Sequence, residues 1–128
     1  NATIKPEGTF LSAASSWHPQ ALNFDTLFTV KIVGPKGLFG VTSGRLQEHF
    51  SDGVTTTVVW QSRYPQDSLT LAAGYYQLQE QQLGDIQLLV LLSPQNSSLA
   101  SDYLESLREY MALYQKLFGP YPYEKFAV

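Results

Sequence analysis

Up to Pro94, apolar and polar positions exchange too quickly along the chain for helices. From Thr26 to Val33 they alternate: Phe28, Val30 and Ile32 share one face and Thr29 and Lys31 the other, the period of a half-buried strand. Gly34-Pro35-Lys36-Gly37 is expected to break that strand. Shorter candidates lie at Gly8–Ser12 and Leu38–Ser43, the second ended by Gly44. Asp52-Gly53 suits a two-residue type I′ turn joining Arg45–Ser51 to Val54–Ser62. In that register Leu46 faces Val59, Phe50 faces Thr55, and Arg45 lies across from Trp60, where a guanidinium can stack on the indole. Tyr64-Pro65-Gln66-Asp67 turns the chain, Leu69–Gly74 leads into a strand Tyr75–Gln81, and Gly84-Asp85 turns it again. Ile86–Leu92 is nearly continuous apolar sequence, so this strand is expected at the centre of its sheet and covered on both faces.

After Ser93-Pro94-Gln95-Asn96 the period changes. Leu99, Tyr103, Leu107, Tyr110, Tyr114 and Leu117 recur at spacings of three and four, which predicts an amphipathic helix with a tyrosine-rich core stripe. Asn96, Ser97 or Ser98 can supply the N-cap oxygen. Asp102 and Glu105 sit early and Lys116 late, as the helix dipole favours, and Gly119-Pro120 ends the helix. Tyr121–Val128 then opens a new apolar segment ready to form a strand. The predicted fold class is mainly β, an antiparallel sheet or sandwich domain with one long C-terminal amphipathic helix. The domain reading is 1–2 as an expression-tag remnant, 3–94 as a β domain, and 95–128 as the helix and start of a truncated catalytic domain.

Composition adds a hint about neighbours. Charged residues make up 15% of the chain, against roughly 25% in an ordinary soluble domain, which points to a surface partly covered by something else. Lys and Arg are scattered, net charge is −3, and no basic cluster forms a nucleic-acid footprint. The absence of Cys excludes disulfides, thiol nucleophiles and Cys-ligated zinc. No apolar run is long enough for a transmembrane helix. The compartment stays open, with a periplasmic or membrane-associated site favoured over a cytoplasmic one.

Candidate chemistry is sparse. His18 and His49 fall in different segments with no carboxylate at ligand spacing. Asp102, Glu105 and Glu109 read as a solvated helix face beside Arg108, and no Gly-x-Ser-x-Gly elbow is present. No catalytic, cofactor-binding or metal residue is assigned. Trp17, Trp60 and Tyr75-Tyr76 leave one other class open, a stand-alone β-rich module for carbohydrate or protein.

The C-terminal quarter carries a recognisable pattern. Leu117-Phe118-Gly119-Pro120-Tyr121-Pro122-Tyr123-Glu124-Lys125-Phe126 resembles the segment that opens the catalytic domain in the membrane alanyl aminopeptidases, the gluzincin zinc aminopeptidases. Leu71-Ala72-Ala73-Gly74-Tyr75-Tyr76, Pro35-x-Gly37 with Ser43-Gly44, and Ser16-Trp17-His18-Pro19 resemble stretches of that family's N-terminal β domain. The family's acidic Cys-x-Asp-Glu-Pro element is replaced by Gln20-Ala21-Leu22-Asn23-Phe24. The resemblance implies a non-catalytic piece, β domain plus entry helix, whose partner is the catalytic domain of the same parent chain. The substrate-binding Gly-x-Met-Glu-Asn strand and the zinc-binding His-Glu-x-x-His helix of the family do not occur before Val128. Zinc and peptide substrate are therefore expected only in the full-length parent. The isolated piece is expected to leave the helix stripe open to a homo-oligomer.

Overall fold

A computed structural model describes residues 2–20 and 24–128. Asn1 of the expected tag remnant and the centre of the Gln20–Phe24 stretch lie outside them. The strands are β1 (Ala2–Lys5), β2 (Gly8–Leu11), β3 (Thr29–Pro35), β4 (Phe39–Val41), β5 (Arg45–Ser51), β6 (Thr55–Gln61), β7 (Leu71–Gly74), β8 (Gln77–Leu83), β9 (Ile86–Leu92) and β10 (Lys125–Ala127). The helix α1 (Ala100–Phe118) follows a 3-10 turn at Pro94–Leu99. They form two compact units, one ending at Tyr75 and one beginning at Tyr76. Strands β8 and β9, grouped with the upstream strands in the sequence reading, belong with α1 to the second unit.

In the first unit, β1-β2-β7-β4 form one sheet and β3-β6-β5 another, all antiparallel. Strand β3 alternates as its sequence requires, Val30 and Ile32 turned inward and Thr29 and Lys31 outward. It runs on through Pro35 rather than breaking at Gly34. Pro35 lacks an N–H, and its place at the end of an edge strand makes that loss harmless.

The β5–β6 hairpin forms where expected but in a different register. Ser51 pairs with Thr56, Phe50 with Thr57, and Leu46 with Trp60, with a bulge between Leu46 and Glu48 that leaves Arg45 opposite Gln61. The two turn residues are Gly53 and Val54, not Asp52 and Gly53. Gly53 alone has positive φ, +94°, as a type II′ turn asks of its first central residue. Asp52 is thereby freed to cap the turn. Its Oδ1 accepts from the N–H groups of Val54 (2.8 Å) and Thr55 (2.7 Å), and its Oδ2 accepts from the Thr55 hydroxyl at 2.9 Å. These bonds favour the carboxylate and lower its pKa, the Thr55 N–H first.

Trp60 shares the inward face of β6 with Thr56 and Val58. It is fully buried, its ring edge-on to Phe39 at 6.2 Å, and its Nε1 donates to the Gly40 carbonyl of the other sheet at 2.8 Å. Gly44, just before β5, runs close against the end of β6. Its φ is +95°, and a Cβ there would collide with the Gln61 carbonyl.

In the second unit, β8 and β9 pair antiparallel across Gly84-Asp85, and β10 pairs parallel to β9. A parallel neighbour needs a crossover, and α1 is that crossover. The expected side-chain N-cap is absent: the helix begins on Leu99, and the preceding 3-10 turn satisfies its first N–H, from Ala100 to the Ser97 carbonyl. The helix ends as the sequence indicates, with Gly119 donating to the Gln115 carbonyl at 3.0 Å.

Replacing Trp60 by Ala should cost roughly 3–5 kcal/mol in urea unfolding, from cavity formation and loss of the inter-sheet bond. A loss below about 1 kcal/mol would show that the two sheets do not depend on this ring.

Candidate functional site

Ala100, Leu104, Leu107 and Met111 follow one line on α1, and Leu104, Leu107 and Met111 pack with Ile86 and Leu88 of β9, joined by Leu83, Tyr121 and Phe126. The stripe expected to be core is therefore divided. Leu107 lies on the packed line, whereas Tyr103, Tyr110, Tyr114 and Leu117 are 46–61% exposed. At about 100° per residue the exposed stripe lies roughly a quarter-turn from the packed line. Only one line of a helix can face a single sheet, so a helix with two apolar lines leaves one of them outside. The rings are ordered along it: Tyr110 stacks on Tyr114 at 6.4 Å and Tyr114 meets Phe118 at 6.2 Å.

The charged residues occupy a third side. Glu105, Arg108, Glu109 and Ala112 line an open hollow of about 380 Å³ with Leu83. Glu80, Gln81, Ser101 and Leu104 extend it with the same Glu105 and Arg108. Glu105 and Glu109 are solvent-exposed here, and Asp102 is exposed as well.

Strand β10 brings a half-buried lysine. Desolvation pulls the Lys125 ammonium down to about 8. Nearby, the Tyr121 hydroxyl donates to the Lys125 carbonyl at 3.1 Å, and burial, then Tyr123, raises its phenol. Nothing in the sequence announced the lysine's burial, because a Lys in a three-residue strand reads as an edge charge.

The histidines do separate structural work. Leu69 N–H donates to His18 Nε2 at 3.1 Å, so the proton sits on Nδ1, which lies 2.8 Å from the Pro19 carbonyl. Trp17 Nε1 donates to the Leu69 carbonyl at 3.0 Å, and the two side chains together hold both polar groups of that residue. His49 meets Phe39 edge-on at 4.8 Å. Among the described residues no three His, Cys, Asp or Glu gather where a metal could bind, so they do not fit a zinc site. No described helix is long and apolar enough to cross a membrane.

No protein-family model and no curated protein matches the chain by sequence. Solved structures share its fold. A two-domain M1 zinc metallopeptidase bound to L-arginine superposes with TM-score 0.67 at 15% identity, over 98% of this chain and 32% of that one. Legionella pneumophila aminopeptidase A in complex with aspartic acid gives 0.65 at 18% identity, over 98% of this chain and 17% of that one. An M1 zinc metallopeptidase from Deinococcus radiodurans gives 0.64 at 16% identity, over 98% and 32%. The chain thus has the fold of one segment of these enzymes and spans a third or less of their length.

Two outcomes follow for stability. Met111→Ala should cost about 2–5 kcal/mol in urea unfolding, whereas Tyr114→Lys should change stability by less than about 1 kcal/mol; equal losses would place both residues on one buried face. Stability should also rise as pH increases from about 8 toward 10, because the unfolded lysine, near 10.4, then binds a proton that folded Lys125 has released. Tyr121 acts in the opposite sense above about pH 10. Lys125→Met should flatten the rise, and a slope unchanged in that variant contradicts the assignment.

Proposed function

We propose that this chain is the N-terminal β domain and entry helix of a zinc-dependent, aminopeptidase-like metallopeptidase, with an architectural role beside the catalytic domain of the same parent. The observation that carries the reading is the fold agreement over 98% of the chain with one segment of M1 zinc metallopeptidases. The Phe118-Gly119-Pro120-Tyr121-Pro122-Tyr123 segment supports it, since α1 ends at Gly119 and a strand follows, as the resemblance implies. In this reading the zinc ligands and the substrate site are residues of the parent outside these 128. The chemistry that a zinc ion held there would supply is polarisation of the scissile carbonyl and activation of a water. The alternative, a stand-alone binding module, loses one of its aromatic anchors, because Trp60 is fully buried.

The test joins sequence and assay. The parent coding sequence beyond Val128 should encode a His-Glu-x-x-His helix and a later Glu. Protein extended through that segment should bind stoichiometric zinc and release amino acids from aminoacyl amides, and the 128-residue chain should do neither. A downstream sequence without those ligands removes the zinc chemistry and leaves only the fold. Zinc binding or peptidase activity in the 128-residue chain itself contradicts the proposal outright.

A further inference from the structure

Asp52-Gly53 is the one Asp-Gly pair in the chain. In an open chain the Gly53 nitrogen can attack Cγ of the Asp52 carboxyl, because glycine has no Cβ to obstruct the approach. The new N–Cγ bond closes a five-membered succinimide. One carboxyl oxygen leaves as water, with the acid proton and the Gly53 amide proton. A second water then opens the ring. Attack at the main-chain carbonyl breaks its bond to the Gly53 nitrogen and leaves isoaspartate, whose backbone runs through Cγ and is one methylene longer.

The reaction needs a protonated carboxyl, free to turn, and an unengaged nitrogen. The folded turn withholds each of these. Asp52 Oδ1 accepts from the N–H groups of Val54 and Thr55, and Oδ2 accepts from the Thr55 hydroxyl. These bonds favour the carboxylate, from which an oxygen leaves poorly. Gly53 N–H donates to Ser51 Oγ at 3.3 Å, and the same hydroxyl donates to the Thr55 carbonyl at 2.6 Å. The attacking nitrogen and the attacked carboxyl are therefore held by different partners. Residues 51–54 are all exposed at the tip of the hairpin, where local opening costs least.

We propose that Asp52 is a site of isoaspartate formation gated by the turn, closed while Ser51 and Thr55 hold the two reacting groups and open when the end of the β5–β6 hairpin unpairs. The product lacks the side-chain carboxylate that caps the turn and carries an extra methylene beside the Ser51–Thr56 pair. It cannot remake the native end of the hairpin, so accumulated isoaspartate records the time spent open.

Peptide mapping with an isoaspartate-specific methyltransferase tests this on the whole chain, incubated at neutral pH and physiological temperature. The native chain should convert at Asp52 about tenfold or more slowly than the same chain in denaturant, as gating by a minor open state requires. Thr55→Val and Ser51→Ala should each speed conversion several-fold in native buffer, with circular dichroism unchanged; should one of them unfold, the other carries the comparison. Asp67-Ser68 is the internal reference and should stay slow in denaturant, since Ser68 has a Cβ. Conversion of the native chain at the denatured rate overturns the proposal. So does a denatured chain that converts no faster at Asp52 than at Asp67, or a folded Thr55→Val or Ser51→Ala chain that converts at the native rate.

Discussion

Strand β9 must be buried on both faces, and the second unit is arranged around that requirement. Ile86, Leu88 and Val90 alternate with Gln87 and Leu89, and all five are buried. Each fully buried Leu or Val contributes roughly 1.5–3 kcal/mol relative to exposure, so the strand is a large apolar load on a 53-residue unit, residues 76–128. Its backbone is held from both sides: β8 pairs antiparallel, and on the β10 side Gln87 N–H donates to the Glu124 carbonyl at 2.8 Å and Val128 N–H to the Leu89 carbonyl at 3.0 Å. The one polar side chain in the run, Gln87, donates to Glu80 Oε1 at 3.1 Å and so avoids an unpaired buried amide.

The helix follows from this. A parallel neighbour for β9 requires a crossover, and the crossover helix supplies Leu104, Leu107 and Met111 to cover Ile86 and Leu88. Having spent one apolar line on that sheet, α1 still carries a second one. The aromatic stripe is a consequence of the helix having two apolar lines and one sheet. In the first unit the comparable fixed point is Trp60, whose N–H reaches across to the Gly40 carbonyl and ties the two sheets together.

Much of the fold could be read from the sequence because period and turn chemistry are local. The alternation in Thr29–Val33, the Gly84-Asp85 turn, the central place of Ile86–Leu92 and the helix ended at Gly119 all appear in the structure. Register was less legible. Asp52-Gly53 fits two turn types, and the choice fell on Gly53-Val54 because the Asp52 carboxylate gains three hydrogen bonds by standing outside the turn. Strand β1 was missed, since four exposed residues give no burial pattern. The division of the helix stripe could not be read at all: spacings of three and four identify an amphipathic helix, but when two adjacent lines are apolar only the partner sheet selects between them. The pairing of Trp17 and His18 on Leu69 joins residues about fifty positions apart, and no local pattern encodes it.

Native-state hydrogen exchange of the β9 amides tests most directly whether this strand is the centre on which the second unit depends. The amides of Gln87, Leu89 and Leu91 should be among the slowest of the unit and should exchange only through its complete unfolding, with the α1 amides facing the sheet close behind. Exchange of those amides through low-energy local openings, while α1 remains protected, would contradict it.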